Sequence, residues 1–225
     1  MKRIARISAI AYLIIFISGF YANFNVLERL VDHKNPIGSV ANLVNNHTQF
    51  ANGLIGFTIM LVFDVVLVWS LFGLTKYVNK TLSIIASFFR FLHAFFFSMA
   101  LFKLTEVYLL ISRDQYVVDI HQKILLLLTY YDLFWTIGLL FFSVHLFYLG
   151  YLSLKSTSIA NGIGYALMVA AIGYFVESMA KSTLANYSDY RVYFETLVVC
   201  TGVVGELSFT IWLLFKGFRK RPFPI

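Results

Sequence analysis

Six stretches of the chain are almost continuously apolar, at about 6–23, 52–74, 82–104, 126–152, 161–180 and 194–216. A helix rising 1.5 Å per residue needs about 20 apolar residues to cross bilayer hydrocarbon. Strands of a membrane barrel would instead alternate polar and apolar positions with a period of two. The pattern predicts an all-α polytopic membrane protein, a bundle of six transmembrane helices.

The polar positions between the runs set the orientation. With the N-terminus inside, the inner segments hold Lys2, Arg3, Arg6, Lys76, Lys80, Lys155, Lys216, Arg219, Lys220 and Arg221, and no acidic residue. The other side carries Glu28, Asp32, Asp114, Asp119 and Asp189 among fewer bases. Lys and Arg collect on the cytoplasmic side of membrane proteins, so both ends are predicted to lie in the cytoplasm. Trp135 and the tyrosines near Tyr130 are expected at the outer interface, Trp69 and Trp212 toward the inner one. In the first outer connection, Val26, Leu27, Leu30 and Val31 suggest a short amphipathic helix, and Asn35-Pro36-Ile37-Gly38 a break. Ser39 is then expected to cap a second short helix carrying Val40, Leu43 and Val44, giving a short helical extracytoplasmic cap. Lys2, Arg3 and Arg6 before an apolar run resemble a signal peptide. The run from Ile7 to Tyr21 is long for that role, and no small-x-small cleavage motif follows, so a retained first helix is expected.

Composition sharpens this picture. The 225 residues are 60% hydrophobic and 13% charged, whereas soluble domains carry roughly 25% charged residues. The lipid bilayer is the expected solvent and partner. The spans leave only short loops, so a single transmembrane domain, 1–225, is expected. The net charge of +7 is accounted for by bases at helix ends, and nucleic-acid binding is not expected. The single Cys200 excludes an intrachain disulfide and a Cys-x-x-Cys site, and is read as a small packing residue. Gly162, Ala166, Ala170 and Gly173 in the fifth run, and Thr201, Gly202 and Gly205 in the sixth, have the small-xxx-small spacing of close helix packing. That spacing leaves the oligomeric state open.

Ionisable residues inside the runs are the candidate chemistry. A charge at the centre of a span costs about 2.5–3.5 kcal/mol on insertion scales. Asp64, Arg90, His93, His145 and Glu206 fall roughly 10–17 Å from the inner helix ends, on four helices. Ser83, Ser87, Arg90 and His93 form one helical stripe; Gly202, Glu206 and Thr210 form another. Two readings follow. A buried Asp64–Arg90–Glu206 group fixes helix register, or the inner cluster lines a polar cavity for a proton relay, a small-molecule ligand or a metal. A second candidate cluster lies nearer the outer face: Lys103, Glu106, Asp132, Glu177 and Glu195, as an outer vestibule or an interfacial charge network. No His-Glu-x-x-His, Gly-x-Ser-x-Gly or P-loop motif is present. The histidines and carboxylates lack a recognised metal-ligand spacing, so no cofactor or metal is assigned, and enzymatic activity stays open.

Three stretches carry a resemblance to a known family. They are Arg3-Ile-Ala-Arg-Ile-Ser-Ala-Ile-Ala-Tyr-Leu-Ile-Ile with Gly19; Met60-Leu-Val-Phe-Asp-Val-Val-Leu with Ala86-Ser-Phe-Phe-Arg-Phe; and His145-Leu-Phe-Tyr-Leu-Gly-Tyr-Leu, then Gly164 to Tyr174, Gly205-Glu-Leu-Ser and Trp212-Leu-Leu-Phe-Lys-Gly. In this order they resemble the membrane family called domain of unknown function 4386. The resemblance implies a multi-pass protein, mostly bacterial and so of the cytoplasmic membrane, without known activity. It carries over no catalytic residue. The expected function is a small-ligand or proton-coupled binding or transport site. The alternatives are an intramembrane enzyme using the His/Glu cluster and a structural or accessory subunit.

Overall fold

A computed structural model describes residues 1–32, 35–112 and 120–219. His33, Asp114, Asp119, Lys220 and Arg221 lie outside the described residues. Among the described residues the chain is helical, with no strand. The helices are α1 (Lys2–Leu30), α2 (Pro36–Asn45), α3 (His47–Thr75), α4 (Lys80–Ile111), α5 (Ile120–Lys155), α6 (Asn161–Thr183) and α7 (Tyr187–Phe218). All but α2 are long and apolar enough to cross a membrane, and the chain is a multi-pass membrane protein. The helices outrun the apolar stretches that announce them: α5 has 36 residues where the run spans 126–152. A helix satisfies its own backbone hydrogen bonds, so nothing obliges it to stop at the edge of the hydrocarbon.

The link after the first span differs from the expected one. Val26, Leu27 and Leu30 belong to α1 itself, which widens into a π-helical stretch at Tyr21–Leu27 and ends with Glu28–Leu30. Asn35, not Ser39, caps α2: its side chain accepts from the Gly38 N–H at 3.0 Å. Pro36 takes the first helical position, where a missing N–H costs nothing. Ser39 is buried and secures the link instead. Its hydroxyl accepts from the Asp32 N–H at 2.7 Å and donates toward the Asp32 and Asn35 carbonyls.

The chain divides into two units, Met1–Leu13 with Phe63–Phe95 and Thr136–Ile225, and Ile14–Val62 with Phe96–Trp135. The second of these has an apolar interior of Phe50, Phe57, Phe97, Leu104 and Ile124. Trp135 packs there, edge-on to Phe97 at 5.1 Å and to Phe57 at 6.3 Å.

In the first unit the small residues of α6 and α7 bring those helices together. A Cβ on Gly205 would lie 2.8 Å from the Ala166 carbonyl oxygen, and one on Gly173 would collide with the Thr201 hydroxyl. Gly162 would meet nothing within 4 Å, so it stands outside this seam. The buried stripe of α7 runs through Gly202, Gly205, Glu206, Phe209, Thr210 and Leu213. Cys200, two residues before that stripe, points away and is exposed. It is not the packing residue expected, because two residues turn a helix by about 200°. The N-terminal end of α1 is tied to α7 by Arg6 Nε donating to the Gly217 carbonyl at 2.6 Å, and to α3 by the Ser8–Ser70 hydroxyl pair at 2.9 Å.

Candidate functional site

Ser83, Ala86, Arg90, His93 and Ala94 are the buried positions along one face of α4 in the first unit. Arg90 is 1% exposed, and a guanidinium there has to find every partner inside the protein. Its two terminal nitrogens find partners on three other helices. Nη2 donates to Asp64 Oδ1 on α3 at 2.5 Å. Nη1 meets His145 Nε2 on α5 at 3.1 Å and the Tyr12 hydroxyl on α1 at 3.4 Å. The Tyr12 and Phe142 rings each lie 5.4 Å from the guanidinium carbon, a cation–π arrangement that is strongest where water is excluded.

The hydrogen bonds assign the histidine tautomers. His145 Nδ1 is 2.8 Å from the Ala86 carbonyl oxygen. A carbonyl only accepts, so Nδ1 carries the hydrogen and Nε2 is left to accept from Arg90. Both ring nitrogens are thus engaged within the protein. His93 Nδ1 likewise donates to the Gly138 carbonyl at 3.0 Å. Its Nε2 faces Asp64 Oδ2 at 3.7 Å, beyond hydrogen-bond range. Asp64 Oδ2 and Arg90 Nε are buried and make no hydrogen bond among the described residues.

Glu206 makes no hydrogen bond to Arg90 among the described residues, although its charge is felt at Arg90 and Tyr12. It accepts from the Tyr174 hydroxyl at 3.0 Å. Where the sequence suggested Glu206 as the third member with Asp64 and Arg90, His145 holds that position. Phe142 connects the two groups: it is 4.8 Å from the His93 ring and packs edge-on to Tyr174 at 5.2 Å. Tyr12, Phe142 and Tyr174 were missed from sequence. The signal for the tyrosines was their position, since Tyr12 and Tyr174 fall well inside apolar runs instead of at the interfaces tyrosine prefers. Among the described residues no three His, Cys, Asp or Glu side chains are placed to hold one metal ion.

The outer candidates resolve into local arrangements. In the second unit Lys103 and Glu106, one turn apart on α4, pair at 2.7 Å, and Asp132 lies on α5. In the first unit Glu195 pairs with Arg191 at 2.5 Å. Buried Glu177 accepts from the Tyr187 hydroxyl at 2.9 Å. Part-exposed pairs within one helix are worth about 0–1 kcal/mol.

Residues 7–217 match the family model described as "Domain of unknown function (DUF4386)". The chain is also similar to an uncharacterized protein of Archaeoglobus fulgidus, with 26% identity over 164 residues, 73% of this chain and 83% of that protein. No solved structure matches it.

Proposed function

The chain belongs to the domain of unknown function 4386 family, and we propose that it is a binding or transport protein of the cytoplasmic membrane, both ends inside, with a proton-linked site at Asp64. The carrying observation is Asp64 Oδ2, buried without a hydrogen bond among the described residues and 3.7 Å from His93 Nε2. An unpaired carboxylate oxygen in a low-dielectric interior is costly. With His93 Nδ1 donating to Gly138, Nε2 and Oδ2 are two proton-accepting atoms facing one another. One added proton converts repulsion into attraction across that gap, with Arg90, His145 and Tyr12 holding the other edge of the carboxylate site. Glu206, on α7, is the further carboxylate that would sense the change in charge.

The test uses the full chain in lipid nanodiscs. Proton uptake between about pH 8 and pH 5, the range in which histidine-linked sites respond, is counted for wild type, D64N and H93Q. The expected result is one proton fewer in D64N than in wild type, with a shifted midpoint in H93Q. Identical curves for all three remove the reading. A structural or accessory subunit is the second reading, favoured by the way Arg90 joins Asp64, His145 and Tyr12 from three helices. It predicts strong stability coupling between Asp64 and Arg90 with no change in proton uptake.

A further inference from the structure

The first unit contains an open pocket of about 270 Å³ where Met1, the α3–α4 turn, the α5–α6 connection and the end of α7 meet. This is the side rich in lysine and arginine, the cytoplasmic side in the proposed orientation. We infer that the pocket binds the anionic head group of an amphiphile, with the start of its chain laid against Phe209. The inference does not depend on the proton reading of Asp64.

Charge and chemistry both point this way. Lys155 lines the pocket, and among the described residues no carboxylate does. Two more lysines, outside the lining itself, lie over rings of residues that form it: Lys76 Nζ is 5.1 Å from the centre of the Tyr77 ring, and Lys216 Nζ 5.9 Å from that of Trp212. Lysines alone would be ordinary on this side of a membrane protein. The lining adds the Ser156 and Thr157 hydroxyls, which can donate to an oxyanion. The α5–α6 connection that carries them is pinned to α7, with Trp212 Nε1 donating to the Ser158 carbonyl at 3.1 Å. Deeper in, Leu74, Leu152 and Phe209 make the wall apolar. Donors and cations at the mouth above an apolar floor match an anionic head on a hydrocarbon chain. A phospholipid of the inner leaflet and a free acyl anion share that chemistry.

Trp212 reports occupancy directly. A W69F background removes the exposed tryptophan and keeps Trp135, packed among Phe57, Phe97 and Tyr131, as an internal reference. The protein is placed in phosphatidylcholine nanodiscs containing equal small fractions of chain-brominated phosphatidylcholine, chain-brominated phosphatidylglycerol or dibromostearate. Saturable quenching of Trp212 is expected from one or both anionic probes. Phosphatidylglycerol identifies a membrane lipid, and dibromostearate a free acyl anion. K155E and T157E, at exposed positions, are expected to weaken that quenching about tenfold, the loss from placing a repelling charge beside the head group. Equal quenching by all three probes, or anionic quenching that both variants leave unchanged, overturns the inference.

Discussion

The two units solve the interior of a membrane protein differently. The unit that includes Phe96–Trp135 is filled by aliphatic and aromatic side chains, with Phe57, Phe97 and Trp135 packed edge to face. The unit that includes Phe63–Phe95 buries Asp64, Arg90, His93, His145 and Glu206. In lipid, burying an apolar side chain between helices gains little, since the hydrocarbon outside is as apolar as the core. The apolar unit therefore depends on shape. The polar unit has directional bonds as well, and each of them selects a rotation and a height for the helix that bears it.

The largest effect that separates the two is expected at Arg90. R90M strips Asp64 of its counter-charge and should cost about 3–5 kcal/mol in unfolding measurements in mild detergent. The D64N/R90M double variant should recover a large part of that loss. Losses that simply add would mean that the polar unit is held by packing alone, and the contrast would collapse.

Shape matters in the polar unit too, at the α6–α7 seam. G205V drives a side chain into the Ala166 backbone and should cost about 2–3 kcal/mol. G162A, where a Cβ meets nothing within 4 Å, should stay within about 0.5 kcal/mol. Equal effects would show that the small-residue spacing is not what sets the approach of these helices.

In the apolar unit F97L removes both edge-to-face contacts and should cost about 1–2 kcal/mol. Proton uptake by the full chain should be unchanged. A changed uptake would tie the second unit to the chemistry of the first. The smallest effect is expected from Y174F, which leaves Glu206 without its donor and should cost about 1 kcal/mol, measured by the same unfolding assay. A loss as large as that of R90M would mean that Glu206 belongs to the central network after all.

The helices and the candidate residues were legible in the chain to different degrees. All six crossing helices were signalled by apolar runs, but their ends were not, because polar interfacial residues continue a helix as readily as apolar ones. The α2 cap was misread because Pro36 breaks a helix that precedes it and starts one that follows. Asp64 and Arg90 could be expected to meet, sitting on consecutive helices joined by a short turn. Glu206 had the right distance from the inner end of its helix, yet Tyr174 holds it. Height along a helix can be counted in residues. The rotation of one helix against another cannot, since it depends on every contact along the seam.

What the sequence determined by itself is the solvent and the number of crossings. A chain this poor in charge, with six apolar runs, can only satisfy its backbone in lipid by closing each run into a helix. The pairing was left to tertiary structure. Arg90 bonds to Asp64, His145 and Tyr12, and Asp64 Oδ2 remains buried and unbonded beside His93. Neither outcome follows from spacing along the chain, because both depend on which faces of four helices the packing turns toward one another.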